Sequence, residues 1–215
     1  MENIVESNIT ITGFEKANMI SKRLLDIIVS IIILFITIPF WLLISVAIII
    51  ESGFPVLFLQ ERIGINRKPF KIIKFRTMKC KATSKDLLIS SHNDLRITNV
   101  GRFLRKYKID ELPQFINVFL GDMSIVGPRP EVKKYTERFL SEYDHILSVK
   151  PGITDYASIV FRNEAQMLDN ITDREKFYME KILPEKIILN KKYIIEACFI
   201  TDIKIIFITF WSIFK

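Results

Sequence analysis

Two residue types that build many catalytic centres are scarce in this chain. Among 215 residues there are two cysteines, Cys80 and Cys198, far apart and in no Cys-x-x-Cys pair. Nothing in that pattern suggests a disulfide framework, and it favours a reducing, cytosolic setting. His92 and His145 are the only histidines, which argues against a histidine-rich zinc or copper centre. A hard cation such as Mg²⁺, held by carboxylates and substrate phosphates, is not excluded on these grounds. There is no internal repeat and no low-complexity tract. Charge is also missing over one long stretch: nothing from Ile27 to Ile50 is ionisable.

What is present is apolar and basic. Hydrophobic residues make up 49 % of the chain, and seventeen are Phe. Lys and Arg number 31 against 24 Asp and Glu, a net charge of +7. This suits an anionic partner, whether nucleic acid, a lipid surface or a phosphorylated substrate, without choosing among them. The length allows one compact domain plus a membrane element.

As a helix, Ile27–Ile50 would extend roughly 36 Å at about 1.5 Å per residue. That exceeds a hydrocarbon core of about 30 Å. The run is too long for the apolar part of a signal peptide, starts late and lacks a small-residue cleavage site. Two features argue against a plain crossing. Lys22 and Arg23 precede the run and Arg62, Arg67 and Lys68 follow it, so both flanks carry the charge usually kept in the cytoplasm. Pro39 lies near the middle, where it removes an N–H and crowds the carbonyl of Phe35, predicting a kink. Thr37 is a candidate to cap a freed carbonyl. A re-entrant helix that enters and leaves on one face accounts for both features; a single pass with a tolerated proline remains the alternative. At the other end, Ile205–Phe214 is apolar but too short to span. Lys204 and Lys215 bracket it, which suggests an interfacial helix with Trp211 near the headgroups, or else a core helix.

The first twenty residues read as a polar, loosely ordered lead. Pro55–Gln60 and Phe70–Thr77, joined through Gly64-Ile65-Asn66, predict a β-hairpin. Lys79–Asp94, with Lys79, Lys81 and Lys85, reads as a mobile loop. Leu112, Phe115, Ile116 and Phe119 fall at i, i+3, i+4 and i+7, one apolar face of a helix ended by Gly121. A helical segment over Arg174–Asn190 is interrupted at Pro184.

The chemistry concentrates between Arg105 and Pro130. Asp110 and Glu111 sit at a helix start, with Pro113 in the first turn. Carboxylates there can simply complement the helix dipole. They can also supply a nucleophile that forms an acyl phosphate and a partner that manages a proton or a metal. In Gly127-Pro128-Arg129-Pro130, each proline biases the residue before it to extended geometry, so Arg129 projects from a stiff backbone. That arrangement fits bidentate contact with phosphate or carboxylate, or a plain surface turn. Arg105 and Lys74 could help neutralise a diphosphate, but the sequence does not fix whether they converge.

Taken in order, these blocks resemble a known family. They are Lys22-Arg23-Leu24-Leu25-Asp26, Gln60-Glu61-Arg62-Ile63-Gly64, Lys74-Phe75-Arg76-Thr77-Met78, Asp110-Glu111-Leu112-Pro113-Gln114, Gly121-Asp122-Met123-Ser124-Ile125-Val126-Gly127-Pro128-Arg129-Pro130 and Lys150-Pro151-Gly152-Ile153-Thr154. The series is similar to the bacterial sugar transferases, the monotopic phosphoglycosyl transferases, in a short form. The resemblance implies an α+β, mainly helical fold: a small cytosolic domain with a short β-hairpin, anchored by a re-entrant helix and interfacial amphipathic helices. It divides the chain into a lead (1–20), the membrane helix (21–52, broken at Pro39), a catalytic domain (53–190) and a C-terminal interfacial helix (191–215). It further implies transfer of a phosphosugar from a UDP-sugar to a polyprenyl phosphate of the undecaprenyl type with release of UMP. This would be the initiating step of a bacterial surface glycan: an exopolysaccharide, capsule, O-antigen or glycoprotein glycan. Asp110 would match the nucleophile and lie beside Mg²⁺, with Glu111 its partner. Lys74, Arg105 and Arg129 would match active-site cations, and Pro128-Arg129-Pro130 would contact the nucleotide. The protein would sit on the cytoplasmic face of the inner membrane, against anionic lipid and without nucleic acid, with an oligomer left open. Two departures stand out. Ile38 replaces the usual Ser before the break proline. Asp155-Tyr156-Ala157-Ser158 and Phe161-Arg162-Asn163 replace elements associated with the choice of sugar. A membrane-anchored basic scaffold or a single-pass phosphohydrolase are the rival classes.

Overall fold

The structure is a computed structural model and describes residues 13–79 and 89–213. Cys80, Lys81, Lys85, Lys215, most of the polar loop and the first twelve residues of the lead lie outside the described residues. The chain is mainly helical with one antiparallel hairpin, as expected. The first helix, α1, runs over Gly13–Ser52. The lead is therefore helical from Gly13, where loose order was expected, because the apolar run propagates helix N-terminally beyond its own limit.

The chain remains helical through Pro39. Thr37 Oγ1 donates to the carbonyl of Ile33 at 2.7 Å, not to that of Phe35 facing the proline, and accepts from Trp41 Nε1 at 3.2 Å. From Ile20 to Ser52 the helix is long and apolar enough to cross a membrane, and almost none of its most apolar stretch is buried. Phe35 is 81 % and Leu42 71 % exposed. A core helix of a water-soluble domain would bury such side chains.

Both ends of α1 are bonded to the same domain. Strand β3 (Ser124–Val126) lies at the N-terminal end. Asp26 accepts from Ile125 N at 2.9 Å and Ser124 Oγ at 3.1 Å, and Lys22 donates to Val126 O at 2.8 Å while pairing with Asp202. At the far end Glu51 accepts from the Asn99 and Val100 amides at 2.6 and 2.8 Å. It thereby caps α2 (Asn99–Lys106) together with Thr98, whose hydroxyl takes the Gly101 amide. Arg76 clasps Ser52, Gly53 and Phe54.

The hairpin pairs β1 (Leu57–Ile63) with β2 (Pro69–Phe75), from Leu57 opposite Phe75 to Ile63 opposite Pro69. Its turn is a 3₁₀ segment, Ile65–Arg67, in which Asn66 and Arg67 take φ of 52° and 60°. After α2 comes a 3₁₀ turn, Ile109–Glu111, and then α3 (Gln114–Leu120), which ends at Gly121 with φ 96°. The face that α3 buries is not the one formed by Leu112, Phe115, Ile116 and Phe119. Gln114, Asn117 and Val118 are buried, whereas Phe119 and Leu120 are exposed. The reason is Asn117, whose amide donates to Lys71 O at 2.8 Å and accepts from Ile73 N at 3.1 Å. Binding the edge of β2 sets Asn117 beside Val118 on the buried face, leaving Leu112, Phe115 and Ile116 half-buried and Phe119 exposed.

Helices α4 (Lys133–Arg138) and α5 (Leu140–Ile146) precede β4 (Gly152–Thr154), which pairs in parallel with β3. Then follow α6 (Tyr156–Val160), α7 (Glu164–Met167), α8 (Arg174–Phe177), α9 (Leu183–Glu196) and α10 (Phe199–Ile213). The expected break at Pro184 is a change of helix type instead. A π turn at Tyr178–Ile182 joins α8 to α9, and Pro184 occupies the first turn of α9, where its missing N–H costs nothing. A core under the site gathers Tyr135, Tyr143, Tyr178 and Leu183. A second joins Val118, Met123, Val126, Tyr193 and Ile205. On α10, Ile205 and Asp202 face inward while Phe207, Phe210 and Trp211 are exposed.

Candidate active site

Asp110 and Glu111 lie in the 3₁₀ turn that enters α3, preceded by Lys108 in the left-handed region at φ 57°. Both carboxylates are buried, at 7 % and 8 % exposure. They differ in their partners. Glu111 Oε1 accepts from Lys74 Nζ at 2.9 Å and from Arg129 Nη2 at 2.5 Å, and its Oε2 accepts from Arg129 Nη1 at 3.3 Å. Asp110 Oδ1 is buried and accepts no hydrogen bond. Lys74 comes from β2, Arg129 from the loop after β3, and the carboxylates from the turn between α2 and α3. Three segments distant in sequence therefore meet.

The electrostatics separate the two acids. Burial acts to raise Glu111, but Arg129 and Lys74 outweigh it and hold its carboxyl well below the usual range. For Asp110, burial and the adjacent Glu111 charge push the pKa up, opposed by Lys74 and Arg105. An adjacent pair whose members are driven apart in this way marks different roles. Glu111 stays ionised and holds two cations, so it is poorly suited to carrying a proton. Burial lowers the Lys74 pKa, and Glu111 partly restores it. Arg129 is raised by Glu111 and cannot lose its charge.

Arg105, on the last turn of α2, is turned differently. Its Nε donates to Thr77 Oγ1 at 2.9 Å and its Nη1 to Ser90 Oγ at 3.1 Å. It acts on Asp110 through charge. Thus Lys74 and Arg129 contact the acidic pair directly, and Arg105 borders it.

The Pro128-Arg129-Pro130 loop is fixed from behind. Pro128 O accepts from Gly152 N at 2.9 Å, Gly127 N donates to Thr154 O at 3.0 Å, and Pro130 O accepts from Arg62 Nη1 at 3.1 Å. The close approach requires glycine on both sides. A β-carbon on Gly152 would lie 2.1 Å from Gly127 N, and one on Gly127 would lie 2.5 Å from Lys150 O. Asp155, fully buried, accepts from Ser158 N at 2.6 Å as the cap of α6 and from Arg129 N at 3.4 Å. Sequence reasoning did not single out this second role of Asp155. Its position at the first residue before a helix was the available signal. Glu164, which adds to the negative field on Arg129, was also missed. Tyr156 faces away from the carboxylates, donating to Glu196 at 2.8 Å and meeting Tyr193 edge-on.

Among the described residues no group of three or more His, Cys, Asp and Glu converges as a metal site. Among the described residues, a hard cation would find the unpartnered Asp110 oxygen as a ligand and would have to take most of its other ligands from substrate.

The chain thus joins a buried acidic pair, one member with an unpartnered oxygen and the other salt-bridged to Lys74 and Arg129, to a helix long and apolar enough to cross a membrane. The sequence model of the family described as bacterial sugar transferase matches residues 17–215, and the chain belongs to that family. It is 39 % identical over 202 residues to UDP-glucose:undecaprenyl-phosphate glucose-1-phosphate transferase of Escherichia coli (strain K12), covering 92 % of this chain and 41 % of the relative. It is 42 % identical over 144 residues to UDP-N-acetylgalactosamine-undecaprenyl-phosphate N-acetylgalactosaminephosphotransferase of Aeromonas hydrophila, covering 65 % and 34 %. A putative undecaprenyl-phosphate N-acetylgalactosaminyl 1-phosphate transferase of Bacillus subtilis (strain 168) is 43 % identical over 121 residues, covering 56 % and 68 %. The chain thus spans about two fifths of the E. coli relative.

Proposed function

We propose that this protein transfers a phosphosugar from a UDP-sugar to a polyprenyl phosphate and releases UMP, at the start of a bacterial surface glycan. The observation that carries this reading is the split acidic pair: Asp110 buried with an unpartnered oxygen, and Glu111 tied to Lys74 and Arg129. In the first step an Asp110 oxygen forms a bond to the β-phosphorus of the UDP-sugar. The bond from that phosphorus to the bridging oxygen breaks, and the electron pair leaves with UMP. In the second step the polyprenyl phosphate oxygen attacks the resulting acyl phosphate, which yields the polyprenyl diphosphate sugar and restores the carboxylate. In this reading Lys74 and Arg129, held on Glu111 beside Asp110, would neutralise the charge that develops on the leaving phosphate, and Arg105 adds to the field around Asp110. Glu111 keeps its two cations ionised and aimed. Mg²⁺, when bound by the Asp110 carboxylate and the substrate diphosphate, would supply further charge neutralisation. The Pro128-Arg129-Pro130 loop would face the nucleotide.

The same reading places the domain on the cytoplasmic face of the inner membrane, with α1 re-entrant. Both ends of α1 are bonded to one domain while its middle is exposed and apolar. A helix that crossed the bilayer would carry Lys22 and Glu51 to opposite faces, and neither set of hydrogen bonds could then coexist with the other. On α10 the exposed Phe207, Phe210 and Trp211 suit an interfacial position.

The test is a UMP-release assay over a panel of UDP-sugars with polyprenyl phosphate present, combined with mass spectrometry of the protein after incubation with sugar-labelled donor alone. A phosphosugar adduct on Asp110 is expected. Active enzyme that never acquires label on Asp110 would refute the covalent step, and no UMP from any donor would refute the reaction.

A further inference from the structure

Away from the acidic pair, the C-terminal end of α3 holds two cations that the proposed chemistry does not use. Arg23 donates from Nη1 to Val118 O at 2.7 Å and from Nη2 to Phe119 O at 2.9 Å, at the C-terminal end of the helix. Lys150, on the turn that backs the Arg129 loop, reaches the same place. A β-carbon on Gly121 would lie 3.2 Å from Arg23 Nη2 and 3.5 Å from Lys150 Nζ, so both nitrogens face the same few ångströms beside Gly121. Glycine there, in the left-handed region at φ 96°, leaves that space open.

Asp26 and Asp122 act on Lys150 through charge, and Arg23 acts on Asp26, but among the described residues neither cation is ion-paired. Asp26 is turned inward to Ser124 and Ile125, and Asp122 is exposed; among the described residues neither comes within ion-pair distance of Arg23 or Lys150. The mutual proximity of the two cations is felt: burial and then the Arg23 charge lower the Lys150 pKa. Two like charges facing one open space, only partly offset by Asp26 and Asp122, favour an anion there.

The surroundings identify that anion. Leu24 and Ile28 on α1 are each 55 % exposed, and Leu120 on α3 is 65 % exposed. The cations therefore sit at the rim of a continuous apolar surface, just before the charge-free run begins. We propose that Arg23 and Lys150 bind the phosphate of an anionic phospholipid headgroup, whose acyl chains lie along the exposed side chains of α1 and α3. The acceptor lipid in its reacting position is a poorer occupant. Gly121 is separated from the acidic turn by the length of α3, on the order of 10 Å at 1.5 Å per residue, too far for its phosphate to reach Asp110. The inference rests on the membrane placement argued above and not on the transfer chemistry.

The test uses the full chain in a neutral detergent and short-chain phosphatidylglycerol, with short-chain phosphatidylcholine as comparison, read by native mass spectrometry. The protein should retain the anionic lipid in preference. Lys150→Gln, which breaks no protein hydrogen bond, should weaken that retention about fivefold, and the double variant Arg23→Gln/Lys150→Gln by roughly the square of that, the scale expected for basic groups at a lipid surface. Lys176→Gln, exposed and remote, should have no effect. Equal retention by the wild type and Lys150→Gln, or an equal loss from Lys176→Gln, would overturn the site. Displacement by inorganic phosphate at the same concentration as by phosphatidylglycerol would show a free-phosphate site and overturn the lipid assignment. UMP release in detergent should be unchanged in Lys150→Gln. Failure of the lipid test with intact UMP release, or the reverse, therefore separates this inference from the proposed reaction.

Discussion

Asp110 and Glu111 are neighbours with the same functional group, yet their environments divide them, and substitution should reveal this. Asp110 is a buried carboxylate whose pKa is raised by burial and by Glu111. A carboxyl with a raised folded-state pKa binds its proton more tightly when folded, so stability falls as the pH rises from the unfolded value of 3.8 through the folded one and the full cost is present above it. Asp110→Asn should therefore abolish UMP release, by on the order of 10³-fold or more, while raising the thermal midpoint of the substrate-free protein at neutral pH. A drop in both would contradict the picture. Glu111 behaves oppositely. Its lowered pKa contributes stability that is present above the unfolded value, near 4.5, and is lost as the pH falls toward the folded one. Glu111→Gln leaves Lys74 and Arg129 without their anion and should cost about 3 kcal/mol, the lower end for breaking a buried pair given the partial exposure of Arg129, measured by denaturant unfolding.

The raised Asp110 pKa also sets a pH dependence. In the proposed reaction Asp110 attacks in its ionised form, so kcat/KM should fall as the solution is acidified through a pKa above the ordinary value of 3.8. Lys74 lowers that pKa. In Lys74→Met the acid limb of the profile should therefore move to higher pH, in addition to any loss of rate. An unmoved limb would mean that Lys74 does not act on Asp110.

Among the elements, the parallel pair β3–β4 carries the loop that presents Arg129. The two strands approach so closely at Gly127 and Gly152 that Gly152→Ala must push them apart, since its β-carbon would meet Gly127 N at 2.1 Å. Overpacking of this kind costs about 1–3 kcal/mol, and the displacement should lower kcat/KM beyond what the stability loss explains, because Arg129 moves with the loop. Activity assayed well below the variant's own thermal midpoint separates the two effects. The legibility of the elements in the sequence differed by range. The hairpin, the Gly121 stop of α3 and the acidic turn follow from local signals: β-branched and aromatic runs, a left-handed terminator, acids before a proline. The inward face of α3 does not. Its four apolar positions mark one side of a helix, but Asn117 pairs with β2, some 46 residues earlier, and that tertiary bond determines the rotation. The π turn at Tyr178–Ile182 was hidden behind Pro184 for a related reason, since a proline signals that regular helix ends without saying what replaces it. At the site, Asp110, Glu111, Lys74 and Arg129 were visible as residue types, whereas their convergence, and the places of Asp155 and Glu164 beside Arg129, depend on contacts that no window of sequence contains.

For the whole molecule, the decisive question is how an apolar helix of 40 residues meets a bilayer while bonded to one domain at both ends. Lys22 to Glu51 would extend roughly 44 Å if straight, and most of the large apolar side chains of its middle, among them Phe35, Phe40, Leu42 and Leu43, are exposed. The bonds of Lys22, Asp26, Glu51 and Arg76 bring β3, α2 and β2 into a single unit with α1. Tearing away the N-terminal end would strand the buried Asp26 and Asp202, each 2–3 % exposed, and tearing away the other would take Ser52, Gly53 and Phe54 from the buried Arg76, each at a cost that helix insertion would have to offset. Both ends should therefore lie on one side of the membrane. In a background with Cys80 and Cys198 replaced by Ser, single cysteines at Ser21 and Lys68 report on the two flanks, both at exposed positions. Neither should react with a membrane-impermeant maleimide added outside intact cells, and both should react after permeabilisation. Labelling of one flank alone from outside would establish a single crossing. It would also mean that the hydrogen bonds at one end of α1 do not exist in the membrane, and with them would go the link from Lys22 and Asp26 through β3 to Arg129.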